Sequence, residues 1–262
     1  MKVKEVIDAL EQFAPLPLQD DFDNAGLQVG LPETDDVTGA LLCLDVTEEV
    51  VMEAVERGYN MIIAHHPLLF HPLRNVTGSD YVQRCVMLAI RHGVAIYAAH
   101  TNLDNAMGGV SYEMASRIGL TDVQILAPRE WEDRTCGAGV VGVMPEPMDE
   151  VPFLFCLKKN FHVDCLKHNP LASRTIRRVA LCGGAGAFLL KDAIAQQADC
   201  FITGEFHYHD YFGHENDLLM VEMGHYESEQ YTIDLLQQIL ARQLPSLATE
   251  KTQLNTNPIN II

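Results

Sequence analysis

The 262-residue sequence predicts an α/β protein: two similar α/β lobes with mostly parallel sheets, forming one compact unit. Two observations carry that prediction. Short, wholly apolar runs such as Ala40 to Leu44 and Met61 to Ala64 alternate with stretches of helical periodicity, which marks buried parallel strands joined by helical crossovers. The order then repeats: Leu42-Cys43 and Leu181-Cys182 each end a strand, and the next strand begins 18 residues after the cysteine, at Met61 and at Cys200. With 48% hydrophobic and 21% charged residues, the chain has the composition of an ordinary globular protein.

Val3, Val6, Ile7, Leu10 and Phe13 recur at three- and four-residue spacing and define an amphipathic first helix that stops at Pro15 and Pro17. An acidic turn, Asp20-Asp21-Phe22-Asp23-Asn24, follows. The apolar run from Gly39 to Val46 leads to Thr47, a helix N-cap with Glu48 and Glu49 in the favourable first turn, and Gly58 closes that helix. Strand Met61 to Ala64, a loop, a helix from Ser79 to His92 stopped by Gly93, and strand Val94 to Ala99 complete the series, so residues 1–125 read as an N-terminal lobe. From 126 to 175 the pattern weakens. Strand candidates at Gly139 to Val143 and His162 to Leu166 flank a helix from Asp149 to Asn160, and the stretch reads as a connecting segment. Residues 176–262 read as a C-terminal lobe, with strands Arg178 to Cys182, Cys200 to Thr203 and Leu218 to Met223, helices ending at Gln197 and running from Glu227 to Arg242, and a terminal loop or edge segment from Asn255. The parallel between the halves suggests a degenerate duplication with the site between lobes. Shared α/β architecture is the competing explanation.

Lys+Arg number 18 against 36 Asp+Glu, a formal charge of −18, so the chain lacks the broad basic footprint that nucleic acid or anionic lipid requires. The N-terminus carries acids within its apolar stretch and does not read as a signal peptide. No apolar run approaches the roughly 20 residues of a membrane span. Seven cysteines include no CxxC pair and mostly sit in apolar runs, as small core residues of a reducing compartment do. A cytoplasmic location is the expectation.

The histidines are informative by position. His65-His66-Pro67 follows a buried strand, at the carboxyl end where ligands of parallel sheets bind. Adjacent side chains in an extended segment point apart, so the pair suits one ligand to each of two neighbouring ions, a dinuclear site. His100 and Asp104 follow the next strand, and His225 and Glu229 follow a strand of the second half, each pair four residues apart and on one face if a helix begins there. Imidazoles with carboxylates suit zinc, iron, manganese, cobalt or nickel rather than calcium. Glu205 and His209, also i,i+4, offer a general acid or base, while His207 and His214 read equally well as a solvated helix start. Gly183-Gly-Ala-Gly186 admits two readings, close backbone approach to an anion or a tight strand-to-helix turn. No GxSxG occurs, so covalent catalysis has no support.

Asp23-Asn24-Ala-Gly26-Leu27, Asp45-Val-Thr47, His65-His66-Pro67, His100-Thr-Asn-Leu-Asp104, Thr203-Gly204-Glu205 with His209, and Gly224-His225 with Glu229 run in order along nearly the whole chain. Together they resemble the NIF-three-like dinuclear metal-centre family, also labelled GTP cyclohydrolase 1 type 2 homologue. The resemblance implies two divalent transition metal ions per chain, with His66 and Asp104 on one, His65 and His225 on the other, and Glu229 bridging. It implies that His100, Glu205 and His209 line the cavity as catalytic groups, although Tyr208 here separates His207 from His209. The short 126–175 segment indicates the compact form without the family's inserted domain, and similarity to that form implies a toroidal homohexamer.

The functional expectation is a dinuclear metal-dependent hydrolase whose metal-bound hydroxide attacks carbon or phosphorus, with a nucleotide as candidate substrate, by cyclohydrolase-like ring opening or phosphoester hydrolysis. Arg74, Arg84 and Lys191 are candidates for offsetting phosphate charge, with surface solvation the favoured reading of each. The alternative is a non-enzymatic metal-binding assembly acting as a metal store, chaperone or regulatory partner. Five ligands over two ions leave open positions, which favours the enzyme.

Overall fold

In the computed structural model, which describes residues 1–262, the first amphipathic stretch is helix α1 (Val3–Phe13), burying Val3, Val6, Ala9 and Leu10. Strands β1 (Gly26–Val29) and β2 (Ala40–Cys43), helix α2 (Glu48–Glu56), strand β3 (Met61–Ala64), helix α3 (Tyr81–His92), strand β4 (Ala95–Ala98) and helices α4 (Thr101–Asp104) and α5 (Val110–Ile118) follow. Thr47 caps α2 through Val50 N, Asp80 caps α3 through Gln83 N, and Gly93, at φ +65°, ends α3 in the left-handed conformation that glycine adopts without strain. Next come β5 (Thr121–Trp131), β6 (Arg134–Asp149), α6 (Glu150–Phe161), β7 (Lys167–His168), β8 (Thr175–Cys182), α7 (Leu190–Ala195), β9 (Cys200–Thr203), β10 (Leu219–Glu222), α8 (His225–Glu229), α9 (Thr232–Gln243) and β11 (Thr249–Lys251).

The chain divides into two units, residues 1–106 with 232–258, and residues 107–231 with 259–262. The first holds a sheet of order β1-β4-β3-β2-β11, parallel throughout except for β1. Strands β2, β3 and β4 are buried at every position, because α2 and α3 cover one face with Val50, Val51, Ala54, Cys85, Val86 and Ala89. The second unit holds a sheet of order β5-β6-β8-β9-β10-β7. Its β8-β9-β10 centre is parallel and its flanking pairs are antiparallel, so both sheets are mixed.

The expected likeness of the halves is present in the strand orders. An antiparallel edge strand, then the third, second and first parallel strands, gives β1-β4-β3-β2 in one unit and β7-β10-β9-β8 in the other. Each series is preceded by a helix, α1 or α6, and followed by a short helix and a longer one, α4 and α5 or α8 and α9. The two long helices are exchanged: α9 packs on α1 and β2 in the first unit, whereas α5 packs on α6 and β8 in the second.

That exchange moves the boundaries away from 125 and 175. The first unit ends at Ala106 and regains the chain at Thr232. The 126–175 stretch is not a mere connector either, since β5, β6, α6 and β7 are all built into the second unit. The strand candidate at Gly139 to Val143 is the centre of β6, whereas β5 escapes an apolar-run reading because it is exposed at most positions. The strand expected at His162 to Leu166 is replaced by a helix end: His162, at φ +54°, closes α6, and the short β7 begins only at Lys167. No helix is long and apolar enough to cross a membrane. Of the seven cysteines, five are buried, and burial raises the Cys43 and Cys200 thiols well above their usual range.

Candidate metal centre

The first unit gathers three imidazoles. Beyond β3 the chain continues its ladder, with His65 N and His66 N donating to Cys43 O and Leu44 O at 3.2 and 3.0 Å. This carries both side chains to the carboxyl end of the sheet, where His100 arrives from β4. Ring centroids of His65, His66 and His100 lie 4.9 to 5.5 Å apart, and one ring nitrogen from each lies within 4.8 Å of the others. Asp104, one helical turn beyond His100, brings Oδ1 to 3.7 Å from His65 Nε2.

Each imidazole is held from behind. His65, fully buried, donates Nδ1–H to Ala99 O at 2.8 Å, and since a carbonyl only accepts, the proton is on Nδ1 and the Nε2 lone pair faces the cluster. His66 Nδ1 donates to Asp45 Oδ1 at 2.7 Å, and His100 Nδ1 to Asp23 Oδ1 at 2.7 Å. Burial alone would raise both carboxyls. For Asp23, the hydrogen bond and charge of His100, with Thr101 and the Asn24 amide, reverse the shift and bring it down to about 2. For Asp45, His66 and the Thr256 hydroxyl do the same, and the carboxyl lies below its usual value.

The strand registers deliver these partners. Parallel pairing sets Cys43 beside Ala64, so two residues further on Asp45 stands beside His66. Antiparallel pairing sets Gly26 beside Ala98, and three residues before the start of β1 Asp23 meets Thr101, whose N–H donates to Asp23 Oδ2 at 3.0 Å.

In the second unit His225 and Glu229 share a face of α8, with Nε2 of the first 3.2 Å from Oε2 of the second. His225 Nδ1 donates to Glu205 Oε1 at 2.8 Å. Glu229 is 4% exposed, and a glycine loop makes room for it. A Cβ on Gly184, at φ +58°, would stand 2.4 Å from Glu229 Oε1, and one on Gly204 would stand 2.9 Å from His225 Cα. Two of the loop amides are engaged by side chains, Gly184 N with Ser228 Oγ and Gly186 N with Thr203 Oγ1. Gly183 and Gly184 pack on Glu229, as the tight-turn reading of this loop expects.

Metal-binding histidines characteristically present one ring nitrogen while the other donates to a carboxylate or carbonyl. All four imidazoles here do so. Two donors on one tetrahedral ion with bonds of 2.0–2.2 Å stand about 3.3 Å apart, close to the separations seen in each unit. The residues present fit divalent transition ions.

The Duf34/NIF3 (NGG1p interacting factor 3) family matches residues 1–258. The chain belongs to the NIF3 family. A GTP cyclohydrolase 1 type 2 homolog of Lactococcus lactis is 36% identical over 235 residues, 86% of each chain. Another, from Clostridium acetobutylicum, is 32% identical over 232 residues, 87% of this chain and 85% of the relative. Among solved structures, Staphylococcus aureus protein SA1388 superposes with a TM-score of 0.91 at 26% identity, covering 100% of this chain and 99% of the other. Reduced HcgD from Methanocaldococcus jannaschii gives 0.80 at 27% identity over 97% and 98%. This coverage agrees with a compact NIF3-family chain.

Of the residues read from the sequence, His65, His66, His100 and Asp104 come together in the first unit, and His225, Glu229 and Glu205 in the second. His209 belongs to none of these groups and is exposed on a 3-10 turn beside the rings of Tyr208 and Phe212. His207 is exposed too and pairs with Asp210. Asp23 and Asp45, which belong to motifs of the family resemblance, hold two of the imidazoles and are not legible as site residues from composition or spacing. Strand register is the signal that could have found them.

Proposed function

We propose that the two donor sets together hold two divalent transition metal ions and that the protein is a metal-dependent hydrolase. The observation that carries this reading is the common fixing of four imidazoles through Nδ1, which leaves four Nε2 atoms prepared as ligands or proton carriers. The approach of His65 Nε2 to Asp104 Oδ1 at 3.7 Å supports placing these two on one ion, and that of His225 Nε2 to Glu229 Oε2 at 3.2 Å supports placing those two on one ion. The resemblance implies His66 as the partner of Asp104, whereas the 3.7 Å approach to Asp104 is that of His65.

When bound, a pair of such ions supplies Lewis acidity, acidifying a water and polarising an electrophile. His100, fixed by Asp23, offers its Nε2 to take up or deliver a proton at the leaving group. Asp23, low in pKa, stays ionised and favours the imidazolium that proton transfer creates. Glu205 serves in this scheme by orienting His225 and strengthening its donor nitrogen.

The names of the relatives make GTP the first substrate to test. The phosphate-binding candidate Arg84 is already engaged by Glu48 at 2.8 Å, which leaves Arg74 and Lys191. The family resemblance also motivates a homohexamer, for which light scattering should give six times the 29.2 kDa chain.

Elemental analysis should find about two transition metal ions per chain and their loss in Glu229→Ala, and the loaded protein should turn over GTP. Absence of metal after reconstitution would remove the reading. Metal without turnover of GTP or phosphoesters would favour a metal store, chaperone or regulatory assembly.

A further inference from the structure

The segment after β11 approaches the metal centre from a direction that the ligand motifs do not indicate. Strand β11 pairs parallel to β2, with Lys251 beside Leu42, and Thr252 N donates to Leu42 O at 2.8 Å. The chain is therefore directed past the carboxyl end of β2, where Asp45 stands. Glu53 of α2 fixes its course: Oε1 accepts from Gln253 N at 3.0 Å, Oε2 accepts from the Thr252 hydroxyl, and Arg57 holds the carboxylate at 2.7 Å. Four residues beyond Thr252, the half-buried Thr256 donates its hydroxyl to Asp45 Oδ2 at 2.8 Å. The other oxygen of that carboxylate accepts from His66.

We infer that Thr256 is a positioning residue for the metal centre, acting through Asp45 to set the His66 imidazole. The inference rests on the dinuclear reading proposed above. A carboxylate that holds an imidazole by one oxygen can still turn about its Cβ–Cγ bond, and a second hydrogen bond on the other oxygen removes that freedom.

The first unit uses this arrangement twice. Asp23 holds His100 by Oδ1 while the Thr101 hydroxyl and N–H hold Oδ2, as Asp45 holds His66 by Oδ1 while Thr256 holds Oδ2. For Asp23 the threonine is supplied locally by strand pairing, next to the histidine itself. For Asp45 it comes from a segment 211 residues downstream. The affinity of the His66 position is thereby coupled to the seating of residues 252–256, and by linkage metal binding stabilises that seating.

Cobalt(II) titration of metal-free full-length protein, followed by absorption, tests the inference alongside the metal-free melting temperature. Thr256→Val should bind about tenfold more weakly, the lower end of what loss of an outer hydrogen bond costs a metal site, and Thr256→Ser should restore wild-type affinity. In an Asp45→Ala background, Thr256→Val should change affinity no further. The inference is overturned if Thr256→Val binds cobalt like the wild type, if the serine variant falls as far as the valine, or if the valine effect persists without Asp45. A wild-type protein that binds no cobalt would instead remove the dinuclear reading.

Discussion

The two units share one strand plan and use it for opposite purposes. Ala40 pairs with Met61 in the first and Val179 with Cys200 in the second, so positions beyond the paired strands correspond one to one. Asp45 then matches Gly184, and His66 matches Glu205. In the first unit the pair is an orienting carboxylate beside an imidazole donor, bonded at 2.7 Å. In the second, the place of the carboxylate is emptied to a glycine, which makes room for Glu229, and the place of the imidazole holds the carboxylate that orients His225. The difference teaches that strand ends supply positions rather than roles. A donor and its orienting partner need only lie across a register, and either place can carry either member.

The sharpest way to break this comparison is to refill the emptied place. Gly184→Val would put a Cβ 2.4 Å from Glu229 Oε1 in a backbone at φ +58°, combining overpacking with left-handed strain for a β-branched residue. A loss of about 3 kcal/mol in urea unfolding is expected. Asp45→Gly at the matching place should cost about 1 kcal/mol, the worth of its hydrogen bonds. Equal costs would show that Gly184 is not there to make room.

A smaller effect distinguishes the first unit by its acid response. The Asp23 carboxyl lies at about 2, below its usual 3.8, so its contribution to stability is fully present above 3.8 and is lost as pH falls through about 2. Asp23→Ala, which leaves the Thr101 amide and His100 without their acceptor, should cost about 2 kcal/mol at neutral pH and flatten the pH dependence in that window. Denaturant midpoints measured from pH 5 to 2 that decline in parallel for the two proteins would contradict this account of Asp23.

The same register logic explains what the sequence discloses. His65-His66 is legible because a wholly apolar strand ends one residue earlier, and His225 and Glu229 because their spacing matches a helical turn. Asp23 is separated from His100 by 77 residues, and only the β1–β4 pairing, itself irregular between Leu27 and Val29, brings them together. The β5–β6 hairpin is obscured for another reason. Its outer strand is solvent-facing, and the Gly137 kink at φ +145° brings the backbone so near Ala127 that a Cβ would stand 2.1 Å from its carbonyl oxygen. Neither feature yields an apolar run. The exchange of α5 and α9 leaves no local trace, since each has an ordinary amphipathic pattern and only tertiary packing decides its partner.

The orienting carboxylates themselves sharpen the comparison further. Asp45 has a side chain 34% exposed and is braced by Thr256, whereas Glu205 is 57% exposed and accepts from His225. Asp45→Asn should weaken cobalt binding by about 10- to 100-fold, and Glu205→Gln by less than about tenfold, because water readily replaces an exposed acceptor. Equal losses in the two titrations would show that bracing and burial do not separate the units.

The smallest effect is expected at His209, and there the second unit is tested against its own motif. Its four-residue spacing from Glu205 suggests a joint acid–base role, yet the intervening chain turns as a short 3-10 helix at Tyr208–Tyr211 rather than continuing an α-helix from Glu205. Glu205 is engaged by His225, while His209 sits exposed beside Tyr208 and Phe212 with ring centroids 5.2 and 6.0 Å away. Truncation there removes surface contacts only, so His209→Ala should change stability by less than about 0.5 kcal/mol. Metal content and turnover should match the wild type. A variant that keeps its metal and stability but loses turnover would restore His209 as a proton carrier and shift that role from the first unit, where the proposed mechanism puts it on His100, to the second.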